Sequence, residues 1–168
     1  MRTLRCLAVL SILLLIVFQA AAQTAKDAVM ALRKLQAKVE AGVTYRDYRS
    51  SLGDAKFEVD LFLEKHPPSA KEARIQSSVD KAYMHYSMAA KVWDVKIAKG
   101  RYGPCVLGYE DSDLLKILFE LYPELKDERV LSGISGNYGP LCVDDFMQAA
   151  WREARKELRT AISLLSQK

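Results

Sequence analysis

The chain has 168 residues, half of them hydrophobic and 27% charged, with a formal net charge of +4. That length suits one domain with a single sizeable core. The charge is small and scattered, which excludes a Lys/Arg footprint for nucleic acid or for an anionic membrane surface.

The first residues predict export. "MRTLR" puts Arg2 and Arg5 ahead of an apolar run of thirteen residues, Cys6 to Phe18, and Ala20 and Ala22 then stand in A-x-A positions before Gln23. This is the layout of a secretory signal peptide over residues 1–22. The run breaks at Gln19, short of the roughly 20 apolar residues that a membrane span needs. Cys6 opens the run, whereas a lipoprotein cysteine would close it. The reading is a cleaved leader, a periplasmic or secreted location, and no stable membrane span in the mature chain. Cleavage also removes Arg2 and Arg5, which leaves 23 basic against 21 acidic side chains, a charge of +2 over residues 23–168.

From there the pattern predicts an all-α protein, an up-down bundle of four main helices in one α-helical domain. Ala28, Leu32, Leu35 and Val39 recur at helical steps over 25–41, and Gly42 follows as a stop. Thr44 is a plausible N-cap for a second helix over 44–65, striped by Tyr45, Tyr48, Leu52, Ala55, Val59 and Phe62. Pro67 and Pro68 end it, since neither can continue the backbone ladder. "SAKE" opens the third helix, 69–99, with a capping box of Ser69 and Glu72. Its face runs Ile75, Val79, Ala82, Tyr86, Ala89, Trp93, Ile97. The last helix, 143–166, takes Asp144 as its N-cap and Phe146, Ala150, Leu158, Ile162 and Leu165 as its inner stripe, with Trp151 beside it. No segment alternates with period two for long enough to argue for a sheet.

Between them lies an excursion, 100–142, that holds six of the eight glycines and one short helix near Ser112 to Tyr122. "RYGPCVLG" (101–108) and "NYGPLCVDD" (137–145) are nearly the same turn. Each fixes the backbone with proline after a permissive glycine, and each carries a thiol. Cys105 and Cys142 are the two cysteines left after processing, and an even number in an exported chain predicts a disulfide. The spacing lacks C-x-x-C, so the pair reads as structural and not as a redox centre.

Signals for chemistry are sparse. Gly133, Gly136 and Gly139 follow no strand and lead to no Gly-Lys-Ser/Thr, so they make no phosphate loop. The acids Glu110, Asp111 and Asp113 fit no EF-hand register and read as helix-start charges. "YMHYSM" places Met84, His85 and Met88 on neighbouring helical positions, a weak candidate for copper or for haem held between His85 and a methionine. Core packing explains the same methionines. Tyr83, Tyr86 and Trp93, with Tyr45 and Tyr48, are candidate ligand-binding rings that packing also explains. His66, before two prolines, reads as a turn residue. No catalytic motif is present and no cofactor is predicted. The leading expectation is therefore a non-catalytic, exported envelope protein that binds a protein or small-molecule partner. The alternatives are a metal- or haem-binding bundle using His85 with Met84 or Met88, and a hydrolase or transferase with an acidic site.

Overall fold

The computed structural model describes residues 24–65, 67, 69–98, 105–107, 111–126 and 141–167. The leader reading of 1–22, His66, the glycines of 133–139, and Tyr102 and Tyr138 of the two turns lie outside these residues. Of Cys105 and Cys142 only the backbone is described.

The protein is all-α, a helical bundle. Helix α1 covers 24–41, α2 Tyr45–Leu63, α3 Ala70–Ala98, α4 Ser112–Leu121 and α5 Val143–Ser166. A 3₁₀ turn, Pro123–Lys126, follows α4. Among the described residues no helix is long and apolar enough to cross a membrane.

Local chemistry sets the helix ends. Gly42, at φ +85°, turns the chain between α1 and α2 in a conformation that a side chain would strain. The Asp47 N–H donates to Thr44 Oγ1 at 3.2 Å, so Thr44 caps α2. Ser69 accepts from the Glu72 N–H at 3.2 Å, which forms the Ser69 half of the capping box. The α5 boundary differs from expectation. The helix begins at Val143, so Asp144 lies in its first turn instead of capping it, and its carboxylate takes Lys96 Nζ at 2.9 and 3.1 Å.

The predicted stripes of α1 to α3 form the core. Ala28, Leu32 and Leu35 of α1, Tyr48 through Phe62 of α2, and Ile75 through Ala89 of α3 are all buried. Ile97, expected on the inner face, is instead half exposed near the end of α3. On α5 the inner stripe runs Phe146, Ala150, Ala154, Leu158, Ala161, Leu164, while Ile162 and Leu165 sit at its edge. Alanines make this seam. Ala82, Ala89 and Ala90 on α3 and Ala149, Ala150, Ala154 and Ala161 on α5 are fully buried, and these two helices share the broadest interface. Small side chains let two helix axes approach closely.

Contacts at both ends tie neighbouring helices. Lys65 Nζ reaches Thr24 Oγ1 at 3.3 Å, and Lys38 Nζ donates to Ser51 Oγ at 2.7 Å, so α2 runs back along α1. Gln76 donates to the carbonyls of Phe62 and Lys65 at the α2–α3 turn. Lys71 at the start of α3 donates to the Gln167 carbonyl beyond the end of α5, while Lys96 and Asp144 join their other ends.

One small ladder was not legible in the pattern. Strand β1, Cys105–Leu107, pairs antiparallel with β2, Leu141–Cys142, with Cys105 opposite Cys142 and Leu107 opposite Leu141. Two steps on one strand match one step on the other, a bulge. Strands of three and two residues are too short to display alternation.

Candidate functional site

Four aromatic rings meet at the end of the bundle from which the excursion departs. Tyr45 and Tyr48 stand on the first turn of α2, Trp93 near the end of α3 and Trp151 on the third turn of α5. Trp93 lies 5.5 Å from Tyr45, 5.7 Å from Tyr48 and 6.1 Å from Trp151, measured between centroids, and Tyr48 lies 5.9 Å from Trp151. Three of these contacts are edge-to-face, the arrangement that ring quadrupoles favour. Tyr48 is the buried floor. Its hydroxyl donates to the Tyr86 carbonyl at 2.8 Å and accepts the Trp151 indole N–H at 3.1 Å. Burial pushes its phenol well above the ordinary range. Tyr45, Trp93 and Trp151 keep part of their surface open to solvent. Two ion pairs border the rings, Arg49–Asp94 at 3.5 Å and Lys96–Asp144.

On the other side of the first turns of α2 an open cleft of about 320 Å³ is lined by Lys38, Ala41, Gly42, Thr44, Asp47 and Ser50, together with Val43. That volume lies at the lower edge of the range of small-molecule sites. Lys38 is engaged with Ser51, and Thr44 with Asp47.

Deeper in the bundle His85 pairs with Tyr122. His85 is 8% exposed, its Nδ1 lies 2.9 Å from Tyr122 Oη, and the ring centroids are 5.6 Å apart. Tyr122 is fully buried, and its main chain joins α4 to the 3₁₀ turn. Its N–H donates to the Leu118 carbonyl, and its own carbonyl accepts from Leu125. Burial depresses the imidazole's affinity for a proton, against the opposing pull of Glu153 and Glu157 on α5. Arg152 on α5 pairs with Glu124 of the 3₁₀ turn, and Phe119 packs edge-to-face on Phe146 at 5.7 Å. The charged residues of α5 therefore do more than face solvent. They help to seat the α4 segment.

A third polar group lies where α1, α3 and α5 meet. Tyr86 is 1% exposed, and its hydroxyl has no hydrogen-bond partner. Arg155 Nε is likewise buried without a hydrogen bond, 3.7 Å from the Glu40 carboxylate. Tyr48 occupies the Tyr86 carbonyl, so the Tyr86 residue is satisfied at its backbone and unsatisfied at its phenol.

The expected site residues therefore separate. Trp93 joins Tyr45 and Tyr48 in the ring cluster, whereas Tyr86 turns into the core. Tyr83 and Met84 are half-buried and Met88 is buried. His85 spends Nδ1 on Tyr122. Among the described residues no three His, Cys, Asp or Glu side chains gather as a cation site. Sequence reasoning missed Trp151 as a member of the cluster and Tyr122 as the partner of His85. Trp151 was visible beside the α5 stripe, but nothing local marked Tyr122 as more than apolar filling.

No family model, curated protein or solved structure matches this chain.

Proposed function

We propose that this is an exported, non-catalytic helical protein of the cell envelope that binds a protein or small-molecule partner. In this reading residues 1–22 are removed as a leader, and α1, α2, α3 and α5 make an up-down bundle. A Cys105–Cys142 disulfide pins the Gly-rich excursion to one end. The β1–β2 register supports the disulfide, because it sets the two cysteines opposite one another. Facing residues of an antiparallel pair have Cα atoms about 4.5–5.5 Å apart, inside the span a disulfide bridges.

The observation that carries the binding function is the ring cluster. Tyr45, Trp93 and Trp151 are partly exposed around a buried, hydrogen-bonded Tyr48. Loops on a rigid scaffold are where binding residues concentrate, and aromatic side chains offer large contact area at small entropic cost. Both tryptophans of the chain lie in this cluster, so intrinsic emission reports any occupant. The test is to titrate the mature protein with fractionated extract of its own compartment. The expected result is a fraction that saturably shifts tryptophan emission and is retained by the wild type but not by Tyr45→Ala or Trp93→Ala. A protein whose emission no fraction moves, and which retains nothing, overturns the reading.

A further inference from the structure

The α4 segment is held to the bundle by few contacts, and one of them is a titratable pair. Tyr122 inserts its ring beside His85 of α3, with Leu118 buried next to it. The Phe119–Phe146 ring contact and the Arg152–Glu124 ion pair also fasten the segment, and Leu114, Leu115, Leu121 and Leu125 lie partly buried against the core. The rest of α4 is polar or only half-buried, and Ile117 is 45% exposed. By comparison α3 and α5 share the broadest interface in the bundle and are tied at both ends.

We propose that the His85–Tyr122 hydrogen bond is an acid-released latch: protonation of His85 frees α4 and the following 3₁₀ turn while the long helices stay packed. In the closed state the imidazole is buried, so a proton there is penalised and the neutral form is favoured. The charged groups acting on it are Glu153, Glu157 and Lys156 on α5 and Lys81 on its own helix α3. From the α4 side Tyr122 faces it directly, with Glu124 of the 3₁₀ turn acting on that phenol. Burial is the largest cause that keeps the proton away, with Lys156 and Lys81 acting in the same direction and Glu153 and Glu157 opposing it.

Withdrawal of Tyr122 admits water to His85, removes the penalty and leaves Glu153 and Glu157 beside an imidazolium. Proton uptake and opening are therefore linked, and each strengthens the other. The sign follows from the depressed affinity of the closed state. The latch is at full strength above the ordinary histidine range and weakens as pH falls through it. One linked proton raises the open population by up to about tenfold per pH unit within that window. In an exported protein this is a response to the pH outside the cell, but the latch does not depend on the binding reading above.

Hydrogen exchange of the purified protein at pH 7.5 and pH 5.0, corrected for intrinsic chemical rates, tests it. The expected result is that peptides within 112–126 open at least fivefold more at pH 5.0, while peptides within 86–96 change less than twofold. His85→Gln can still hydrogen-bond Tyr122 Oη through its amide but cannot titrate, so it should hold 112–126 closed at both pH values. Tyr122→Phe should open the segment at both. A smaller acid response in the wild type, or an undiminished one in His85→Gln, overturns the proposal, and the latter assigns the effect to the carboxylates. Where His85→Gln does not fold, NMR titration of the wild-type imidazole decides. The His85 midpoint must coincide with the loss of α4 protection. A His85 that charges with α4 still protected refutes the latch.

Discussion

The Tyr48 hydroxyl accepts the Trp151 indole N–H at 3.1 Å and donates to the Tyr86 carbonyl at 2.8 Å. One oxygen thus joins α2 to α5 and α3 at the end of the bundle that carries the excursion. Tyr48→Phe keeps the ring and removes both bonds, leaving the indole N–H without its acceptor. The expected cost is about 1–3 kcal/mol, read as a lower urea midpoint at unchanged slope. A red-shifted tryptophan emission should accompany it as water reaches the indole. An unchanged midpoint would show that the oxygen does not hold the three helices.

Tyr86 supplies the opposite case. Its phenol is buried and unsatisfied, so Tyr86→Phe removes a polar group that has no partner to lose. Such a change is neutral or stabilising, by up to about 1 kcal/mol. Tyr122→Phe, which strips His85 of its partner, should cost about 1–2 kcal/mol by the same principle. Chemical denaturation of the two variants side by side checks the ordering, and a destabilised Tyr86→Phe would reveal a partner for that hydroxyl.

The α1, α2 and α3 stripes were legible because apolar residues at steps of three and four leave little doubt about which face is inward. The caps Thr44 and Ser69 were legible because their chemistry is local. The α5 stripe was misread at Ala154 and Ala161, since alanine weighs little in an apolar pattern yet fills a seam where two helices come close. The pairing of His85 with Tyr122, and of Tyr48 with Trp151, was out of reach. These contacts bridge 37 and 103 positions, and periodicity within a segment says nothing about the path of the chain between segments. His85 was singled out for its chemistry, but its surroundings come from α4 and α5.

Tyr48, Tyr86 and Tyr122 are all held above the ordinary phenol range by burial. The unfolded chain releases these protons near pH 10, whereas the folded chain keeps them. Their contribution to stability is therefore intact below pH 10 and is lost as pH rises further. With three phenols the loss steepens to about 4 kcal/mol per pH unit at most. Tyrosinate absorbance at 295 nm should show at least three of the eight tyrosines ionising only as the helical circular dichroism collapses. Smooth titration of all eight with the fold intact would contradict the burial.

The cysteine pair gives a prediction that also tests export. A disulfide between Cys105 and Cys142 closes a loop of 37 positions, for which loop entropy predicts about 4 kcal/mol of stabilisation. Protein recovered from its native compartment should begin near Gln23, weigh two mass units less than the dithiol form, and lose stability on reduction. Because such a tie would fasten β1 to β2, reduction should loosen 105–107 and 141–142 before the long helices. Two free thiols in the native material would remove both the tie and the oxidising compartment it implies.

The α3–α5 seam sets the limit on what the bundle tolerates. Ala154 is fully buried in the middle of α5, and the alanines around it permit a close approach of two helices that a longer side chain would prevent. Ala154→Leu gains little in helix propensity and must push the helices apart or adopt a strained rotamer, at a cost of about 1–3 kcal/mol. Ala154→Gly, which leaves the seam free of clash, should cost about 1 kcal/mol through helix propensity alone. Leucine should therefore be at least as damaging as glycine in thermal denaturation, the reverse of the order expected at an exposed helical position. If leucine is accepted without loss, the two helices are not in close contact there.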